Sequence, residues 1–254
     1  MISQTERHQF ILNKLNKESF VNVLELCKEL DVSSVTIRKD LKLLEDKKLL
    51  FRTHGGATIN NPYTIERPVN EKESLQSDEK MKIGAEAAGS IQENDSVIIA
   101  SGTTVLALAK KIPVKKNLTV ITASLQVALE LIDHSGIEVI QLGGILRKSS
   151  SSVTGPYAQK ILTDFFCSKL FLGVDGIDLE FGLTTTSAME AHLNRQMIEV
   201  SQKVVVLSDS TKFGKRGFGR ICGLEEVDQV ITDAGISDHF VNQLESRGIE
   251  VTIV

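Results

Sequence analysis

Small and polar residues follow five apolar segments of the chain, at the positions where predicted strands end. Glycine, backbone N–H groups, hydroxyls and lysine suit a phosphate, and a carboxylate at 175 suits sugar hydroxyls. Ligands of parallel sheets bind beyond the carboxyl ends of the strands. The set therefore predicts a sugar-phosphate site. Its candidate residues are Ser101, Gly102, Thr103, Thr104, Thr122, Ser124, Gly143, Gly144, Asp175, Gly176, Glu190 and Lys212.

Each of these residues also has a purely structural interpretation. Gly-Thr-Thr after a strand is commonly a helix cap, Asp175 could form a turn, and Gly143 and Gly144 could be a plain loop. Glu190 could complement a helix N-terminus, and Lys212 could be a solvated cation. The repetition at successive strand ends favours the site over these separate alternatives.

A second group of residues suits contact with DNA. The 254 residues carry 29 Lys and Arg against 33 Asp and Glu, a net charge of −4. Residues 1–57 hold 10 basic against 8 acidic residues, and the remainder holds 19 against 25. A locally basic segment on an acidic protein indicates a surface for polyanions, although a solvated helix face would have the same composition.

The basic residues lie on one side of a predicted helix that Ser33 would cap. Ile37, Leu41 and Leu44 recur at helical spacing on the other side. Arginine reads guanine through two hydrogen bonds, and short hydroxyls near a helix N-terminus contact phosphate. The candidate DNA contacts are Ser33, Ser34, Thr36, Arg38, Lys39, Lys42, Arg52 and His54. Alternatively, Arg38 pairs with Asp40 or Glu45, and His54 is a turn residue.

The elements around this helix predict a winged helix-turn-helix. Ser3 with Glu6 is a capping box for a first helix, and Asn22 with Glu25 repeats the pattern before a second. After the third helix, residues 49–51 look like a strand, and residues 52–57 read as a β-turn wing with glycines at positive φ.

The rest of the chain predicts an α/β fold with a mainly parallel sheet, because near-continuous Val/Ile/Leu strands alternate with helices. We expect a DNA-binding domain at 1–58, a linker at 59–77 and a sensor domain at 78–254. The glycine-rich segment 214–219 reads as a mobile flap. The predicted strands are 96–101, 118–122, 137–142, 169–174, 203–207, 229–232 and 249–254.

Composition excludes several other classes of protein. Apolar segments are too short to span a bilayer, the N-terminus is no signal peptide, and three distant cysteines favour a reducing cytoplasm. His134, His192 and His239 lack ligand spacing, so we expect no metal site. We expect no cofactor and no membrane partner.

The stretch VSSVTIRKDLKLLEDKKLLFRTHGGA, residues 32–57, resembles the signature of the DeoR family of bacterial sugar-metabolism regulators. The resemblance implies that Asp40 belongs to the recognition helix and Gly55 to the wing. Two residues depart from the family pattern. Lys39 replaces a second arginine, and Lys48 stands where a glycine commonly closes the helix.

The resemblance extends through SGTT, LTVIT, QLGG, KLFLGVDGID and SDSTKFG, so it covers nearly the whole chain. It implies a sensor related in fold to ribose-5-phosphate isomerase and CoA transferases, with phosphorylated sugars or their catabolic intermediates as ligands. GLTTTSAMEAHLNRQM looks closest to the AgaR branch, which is associated with amino-sugar and galactitol-type catabolism. Ala100 replaces an aspartate that is common in the family.

The leading hypothesis is a transcriptional repressor, not an enzyme, that binds double-stranded operator DNA and is released or rearranged by a phosphorylated sugar. A homodimer or homotetramer on repeated half-sites is expected. One alternative is a sugar-phosphate isomerase that uses Asp175 and Glu190 as acid and base. Another is activation in place of repression.

Overall fold

The structure is a computed structural model that describes residues 2–47, 49–53, 55–59, 68–113 and 117–254. The chain divides into two compact units, Met1–Ile65 and Glu66–Val254. Within the described ranges, no helix has the length and apolar character that crossing a membrane would need.

The first unit is a three-helix winged fold. Its elements are α1 (Gln4–Glu18), β1 (Phe20–Asn22), α2 (Val23–Leu30), α3 (Ser34–Asp46), β2 (Phe51–Thr53) and β3 (Gly56–Thr58). The strands form one antiparallel sheet in the order β1-β3-β2. The strand expected at 49–51 begins two residues later than predicted.

The three helices of this unit begin at the predicted N-cap residues. The Ser3 and Glu6 capping box is present, and Asn22 accepts a hydrogen bond from the Leu24 N–H (2.7 Å). Ser33 caps α3 by accepting from the Thr36 N–H (3.2 Å). The apolar stripe of α3 is buried with side chains of α1 and α2 in one core, as its spacing predicted.

The second unit is a larger α/β structure. Its elements are α4 (Val69–Glu73), α5 (Ser77–Gly89), β4 (Ser96–Ile99), α6 (Thr103–Ala109), β5 (Leu118–Thr122), α7 (Leu125–Leu131), β6 (Ile137–Gln141), β7 (Ile145–Arg147), β8 (Ser152–Thr154), α8 (Pro156–Leu162), β9 (Cys167–Gly173), β10 (Gly176–Asp178), β11 (Gly182–Thr185), α9 (Ala188–Glu199), β12 (Ser201–Leu207), β13 (Gly219–Cys222), β14 (Gln229–Thr232), α10 (Asp238–Glu245) and β15 (Glu250–Ile253). Short 3₁₀ turns lie at Ser210–Lys212 and Leu224–Glu226.

A seven-stranded parallel sheet forms the centre of this unit, in the order β15-β14-β12-β9-β4-β5-β6. The predicted α/β fold class is confirmed, and each of the seven predicted strands lies in this sheet. Two apolar cores are built on it, with Ile98 in one and its neighbours Val97 and Ile99 in the other. The chain runs outward from β4 through β5 and β6, then returns to β9 on the other side of β4. The strand order therefore reverses between β4 and β9, the place where open parallel sheets bind ligands.

Some segments differ from the sequence-based expectation. Val69–Glu73, inside the expected linker, is a helix whose Val69 N–H donates to the Ser149 carbonyl (2.7 Å). Segment 214–219, expected to be a mobile flap, packs closely, because a Cβ on Gly217 would lie 2.5 Å from the Thr185 carbonyl oxygen. The Gly217 N–H also donates to the Thr184 hydroxyl (2.8 Å). The serines at 149–151 form the turn that joins β7 to β8.

Candidate functional site

The exposed face of α3 carries the candidate DNA contacts. Arg38, Lys39 and Lys42 are exposed, and Val35 presents an apolar side chain that is 72% exposed. The hydroxyls of Ser33 and Thr36 hydrogen-bond each other (3.0 Å) at the start of the helix. The opposite face packs into the core, so the helix presents its cationic side outward.

Asp40 lies on the buried side of this helix. Its carboxylate is 2% exposed and accepts hydrogen bonds from Arg7 Nε (2.7 Å) and Arg7 Nη2 (3.1 Å). His8 Nε2 lies 3.1 Å from the same carboxylate. Asp40 therefore fixes α3 against α1 and does not belong to the exposed face.

The acidic neighbours of Arg38 are both occupied by other basic residues. Arg7 holds Asp40, and Arg52 donates from its backbone N–H (2.8 Å) and its Nε (2.7 Å) to the two carboxylate oxygens of Glu45. The alternative in which Arg38 pairs with one of these carboxylates is therefore wrong for this structure.

The wing is a tight antiparallel hairpin between β2 and β3. Gly55 at its tip has φ +85°, and a Cβ on Gly56 would lie 2.0 Å from the Val21 carbonyl oxygen. Arg52 lies in β2 and links the wing to α3 through Glu45. His54 and Lys48 lie outside the described residues.

The second candidate site lies at the carboxyl edge of the parallel sheet. Ile99 pairs with Phe171, and Leu207 pairs with Gly173, so the residues that follow β4, β9 and β12 meet at this edge. Gly173 approaches the Ser101 carbonyl closely, since a Cβ there would lie 3.3 Å from that oxygen. Ser101, Gly102 and Thr103 are half-buried, whereas the predicted contact Thr104 is buried.

Asp175 is the best-connected carboxylate of this edge. Its Oδ1 accepts from Lys72 Nζ (2.8 Å), and its Oδ2 accepts from the Thr185 hydroxyl (3.1 Å) and the Thr186 N–H (3.2 Å). Burial alone would raise the pKa of Asp175, but Lys72, Lys212 and the Thr185 hydroxyl outweigh it, so the pKa lies below its ordinary value of 3.8. Asp175 is therefore held as the anion.

Lysines concentrate the positive charge beside Asp175. Lys80 is buried, and its ammonium donates to the carbonyl oxygens of Lys72 and Leu75. Burial lowers the pKa of Lys80 to about 8; Asp209 opposes this shift, and Lys212 and Lys72 add to it. Lys72 contacts Asp175 directly and Lys80 contacts the Lys72 carbonyl, so both lysines lie close to this carboxylate, and Lys212 also lowers the pKa of Asp175. An anion would be favoured beside this lysine cluster.

A second polar network surrounds Glu190. Ser187 caps α9 through the Glu190 N–H (3.4 Å), and the Glu190 carboxylate accepts from the Ser152 hydroxyl (3.2 Å). Arg147 Nε lies 3.4 Å from the same carboxylate, and Ser150 hydrogen-bonds Ser152 (2.8 Å). Glu190 lies in the first turn of α9, as its structural interpretation required. Its carboxylate also forms an ion pair with Arg147.

Several predicted site residues have local structural roles. Thr122 and Ser124 are buried, and their hydroxyls accept from the backbone N–H groups of Ser124 and Val127. Gly144 and Gly176 allow close packing, because added Cβ atoms would lie 2.5 Å from the Thr154 oxygen and 2.4 Å from the Lys215 oxygen. Gly143 is exposed and has open space at its Cβ position.

Sequence reasoning missed Lys72, Lys80, Arg147 and Thr185, which the structure brings to this region. Lys72 lies in the expected linker, and Arg147 is the last residue of β7. Lys80 stands between Glu79 and Met81, so its local sequence gives no signal of burial. Among the described residues, no group of three or more His, Cys, Asp or Glu side chains has an arrangement that could hold a metal ion.

Comparisons with known proteins identify both domains of the chain. Residues 75–234 match the DeoR C-terminal sensor domain, and residues 7–63 match the DeoR-like helix-turn-helix domain. A protein named as an aga operon transcriptional repressor of Escherichia coli O157:H7 is 35% identical over 98% of this chain and 94% of its own length. The transcriptional regulator YulB of Bacillus subtilis is 37% identical over 98% and 96%.

Among solved structures, ribose 5-phosphate isomerase from Methanocaldococcus jannaschii aligns with a TM-score of 0.40 and 14% identity. The alignment covers 54% of this chain and 55% of the isomerase.

Proposed function

Because the chain belongs to the DeoR family of DNA-binding transcriptional regulators, we propose that it represses a sugar-catabolism operon and that a phosphorylated sugar releases or rearranges it on the operator. The observation that carries the proposal is the cluster of Lys72, Lys80 and Lys212 beside the ionised Asp175, at the edge where the strand order reverses. Lysines attract phosphate, and a carboxylate accepts hydrogen bonds from sugar hydroxyls.

On the DNA side, the proposal assigns base and phosphate contacts to α3. The exposed Arg38 is the candidate for bidentate reading of a guanine edge, and Lys39 and Lys42 are candidates for phosphate contacts. Arg52 and His54 are proposed to contact the backbone from the wing. The Glu45 carboxylate orients Arg52 and leaves part of its guanidinium free for phosphate.

On the effector side, we propose that Ser101, Gly102, Thr103, Asp175 and Lys212 contact the ligand, with Glu190 at the side of the same edge. Thr122, Ser124 and Gly144 are left out of this set because local packing accounts for them. In this proposal the sugar hydroxyls donate hydrogen bonds to the carboxylates of Asp175 and Glu190, and the lysine cluster binds the phosphate.

The isomerase alternative is not favoured. The relatives at 35% and 37% identity are named as transcriptional regulators. The pKa of Asp175 lies below its ordinary value, which makes it a poor general acid near neutral pH. Repression and activation are separated by the output of a promoter reporter in a deletion strain.

We further propose that the protein acts in the cytoplasm as a homodimer or homotetramer. A single short recognition helix contacts few base pairs, and repeated half-sites supply the remaining specificity. Effector and operator must then affect each other's binding by the same factor.

Two measurements on the full chain test the proposal. Duplexes from its own upstream region should bind at low salt, with an affinity that falls steeply as salt is added. A thermal-shift screen of pentose and hexose phosphates should find one ligand that stabilises the protein, by about 2.7 kcal/mol at 100 times its Kd. That ligand should weaken DNA binding. Failure to bind any such duplex would contradict the DNA assignment, and a screen without a stabilising phosphate would contradict the effector assignment.

A further inference from the structure

Residues 68–76, which we call the α4 strap, lie across the candidate effector site. At one end, the Val69 N–H donates to the Ser149 carbonyl (2.7 Å), beside the serines that join the Glu190 network. In the middle, Lys72 Nζ donates to Asp175 (2.8 Å). At the far end, the buried Lys80 ammonium donates to two carbonyl oxygens of the strap. The strap therefore joins both polar networks of the site.

One of these connections competes with a ligand. Lys72 and Asp175 form a partly buried ion pair, with side chains 27% and 18% exposed. The other Asp175 oxygen is already bonded to Thr185 and Thr186. A sugar hydroxyl that donates to Asp175 must therefore compete with Lys72 for Oδ1. A ligand phosphate beside this carboxylate can accept hydrogen bonds from the displaced Lys72 ammonium.

The strap also has a particular place in the chain. It is the first helix of Glu66–Val254, so the chain enters this unit through it from the DNA-binding unit. A helix of five residues makes few hydrogen bonds of its own and depends on such tertiary ties. Loss of the Lys72 contact would therefore loosen the first described segment of the second unit.

We propose that the Lys72–Asp175 pair is a latch that a phosphorylated ligand opens: the phosphate takes Lys72, a ligand hydroxyl takes Asp175, and the α4 strap loosens. This inference rests on the proposed function and adds the route by which occupancy of the site reaches the DNA-binding unit. The latch belongs to the ligand-free state, so breaking it by mutation favours the same open conformation that ligand binding favours.

Hydrogen exchange of the strap amides in the full chain tests the latch, with inorganic phosphate as the probe. In Lys72→Met we expect the strap amides to exchange about tenfold faster than in the wild type. The matched control is Lys110→Met, which removes another lysine pair made by α4, Lys110–Glu73 (2.9 Å), without touching Asp175. It should change strap exchange less than twofold. Lys72→Arg, which can keep the pair, should stay close to the wild type.

Phosphate supplies the second part of the test. At 20 mM, against chloride of equal ionic strength, it should speed strap exchange in the wild type and in Lys110→Met, but not in Lys72→Met, where the latch is already open. Slower exchange with phosphate, no response in the wild type, or equal effects of the two methionine variants would overturn the latch.

DNA binding separates failure of the latch from failure of the proposed function. Without ligand, Lys72→Met should bind the upstream duplex about tenfold more weakly than Lys110→Met, within the range of typical allosteric couplings. Equal affinities would overturn the proposed route to DNA. If the wild type binds no duplex, the proposed function fails, and the exchange data still decide whether the latch exists.

Discussion

Replacing Asp40 with asparagine should destabilise the first unit by about 2 kcal/mol, because a buried carboxylate holds three contacts from α1. Removing one partner of a fully buried ion pair costs about 3–5 kcal/mol. The loss here should be smaller, since Arg7 and His8 are partly exposed and asparagine keeps the shape and one acceptor. For a domain of this size, each kcal/mol shifts the unfolding midpoint by about 4–8 °C, so we expect a shift of roughly 8–16 °C.

Calorimetry of the full chain measures the shift, and hydrogen exchange at α1 and α3 assigns the transition to the first unit. The matched control is Glu45→Gln, which weakens a more exposed pair, 25% for Glu45 and 39% for Arg52, and should cost less than about 1 kcal/mol. A double-mutant cycle of Asp40→Asn with Arg7→Met should give a coupling of at least about 1 kcal/mol. A loss below about 0.5 kcal/mol for Asp40→Asn would refute the reasoning, because surface substitutions reach that value.

Three further predictions address DNA, effector and pH. Arg38→Ala should lower the affinity for the operator duplex at least tenfold and leave the effector-induced thermal shift intact. Lys42→Ala should reduce the slope of log binding constant against log salt concentration by about 0.9. Fluorescence anisotropy at several salt concentrations measures both effects on DNA binding. Lys212→Ala should weaken effector binding, measured by calorimetric titration, and leave a DNA-bound repressor that no longer responds; loss of DNA binding would indicate a structural lysine instead. Lys80 has a folded pKa of about 8 and an unfolded value near 10.5, so the folded state holds fewer protons between these values and stability rises with pH there. The difference in unfolding free energy between the wild type and Lys80→Met, from urea titrations, should therefore increase from pH 8 to 10.5, and a flat difference would contradict the assigned pKa.

Local patterns were sufficient to predict most of the architecture. Strands of a parallel sheet are covered on both faces, so they appear as continuous apolar runs that a sequence displays directly. Helix caps are equally local, since Ser33 and Thr36 are only three residues apart. The winged unit and the seven-stranded sheet could therefore be derived from the chain.

The side-chain partners at both sites could not be derived in this way. Asp40 meets Arg7 across 33 residues, and Lys72 meets Asp175 across 103 residues. Such pairs depend on the packing of whole elements, which no short pattern encodes. Thr122 and Ser124 show the converse problem, because hydroxyls after a strand suit a ligand and a helix cap equally well. Only the structure shows that the Ser124 hydroxyl caps α7 and that the Thr122 hydroxyl accepts from the Ser124 N–H.

The central position of β3 in the β1-β3-β2 sheet has a consequence for regulation. The returning strand of the wing is bonded on one side to β1, which follows α1, and on the other to β2, whose Arg52 is tied to α3. The wing hairpin (β2 and β3) and α3 are therefore held together as one structural unit. Under the proposed function, the effector would change where this unit lies along the duplex and would leave the arrangement of α3 and the wing unaltered.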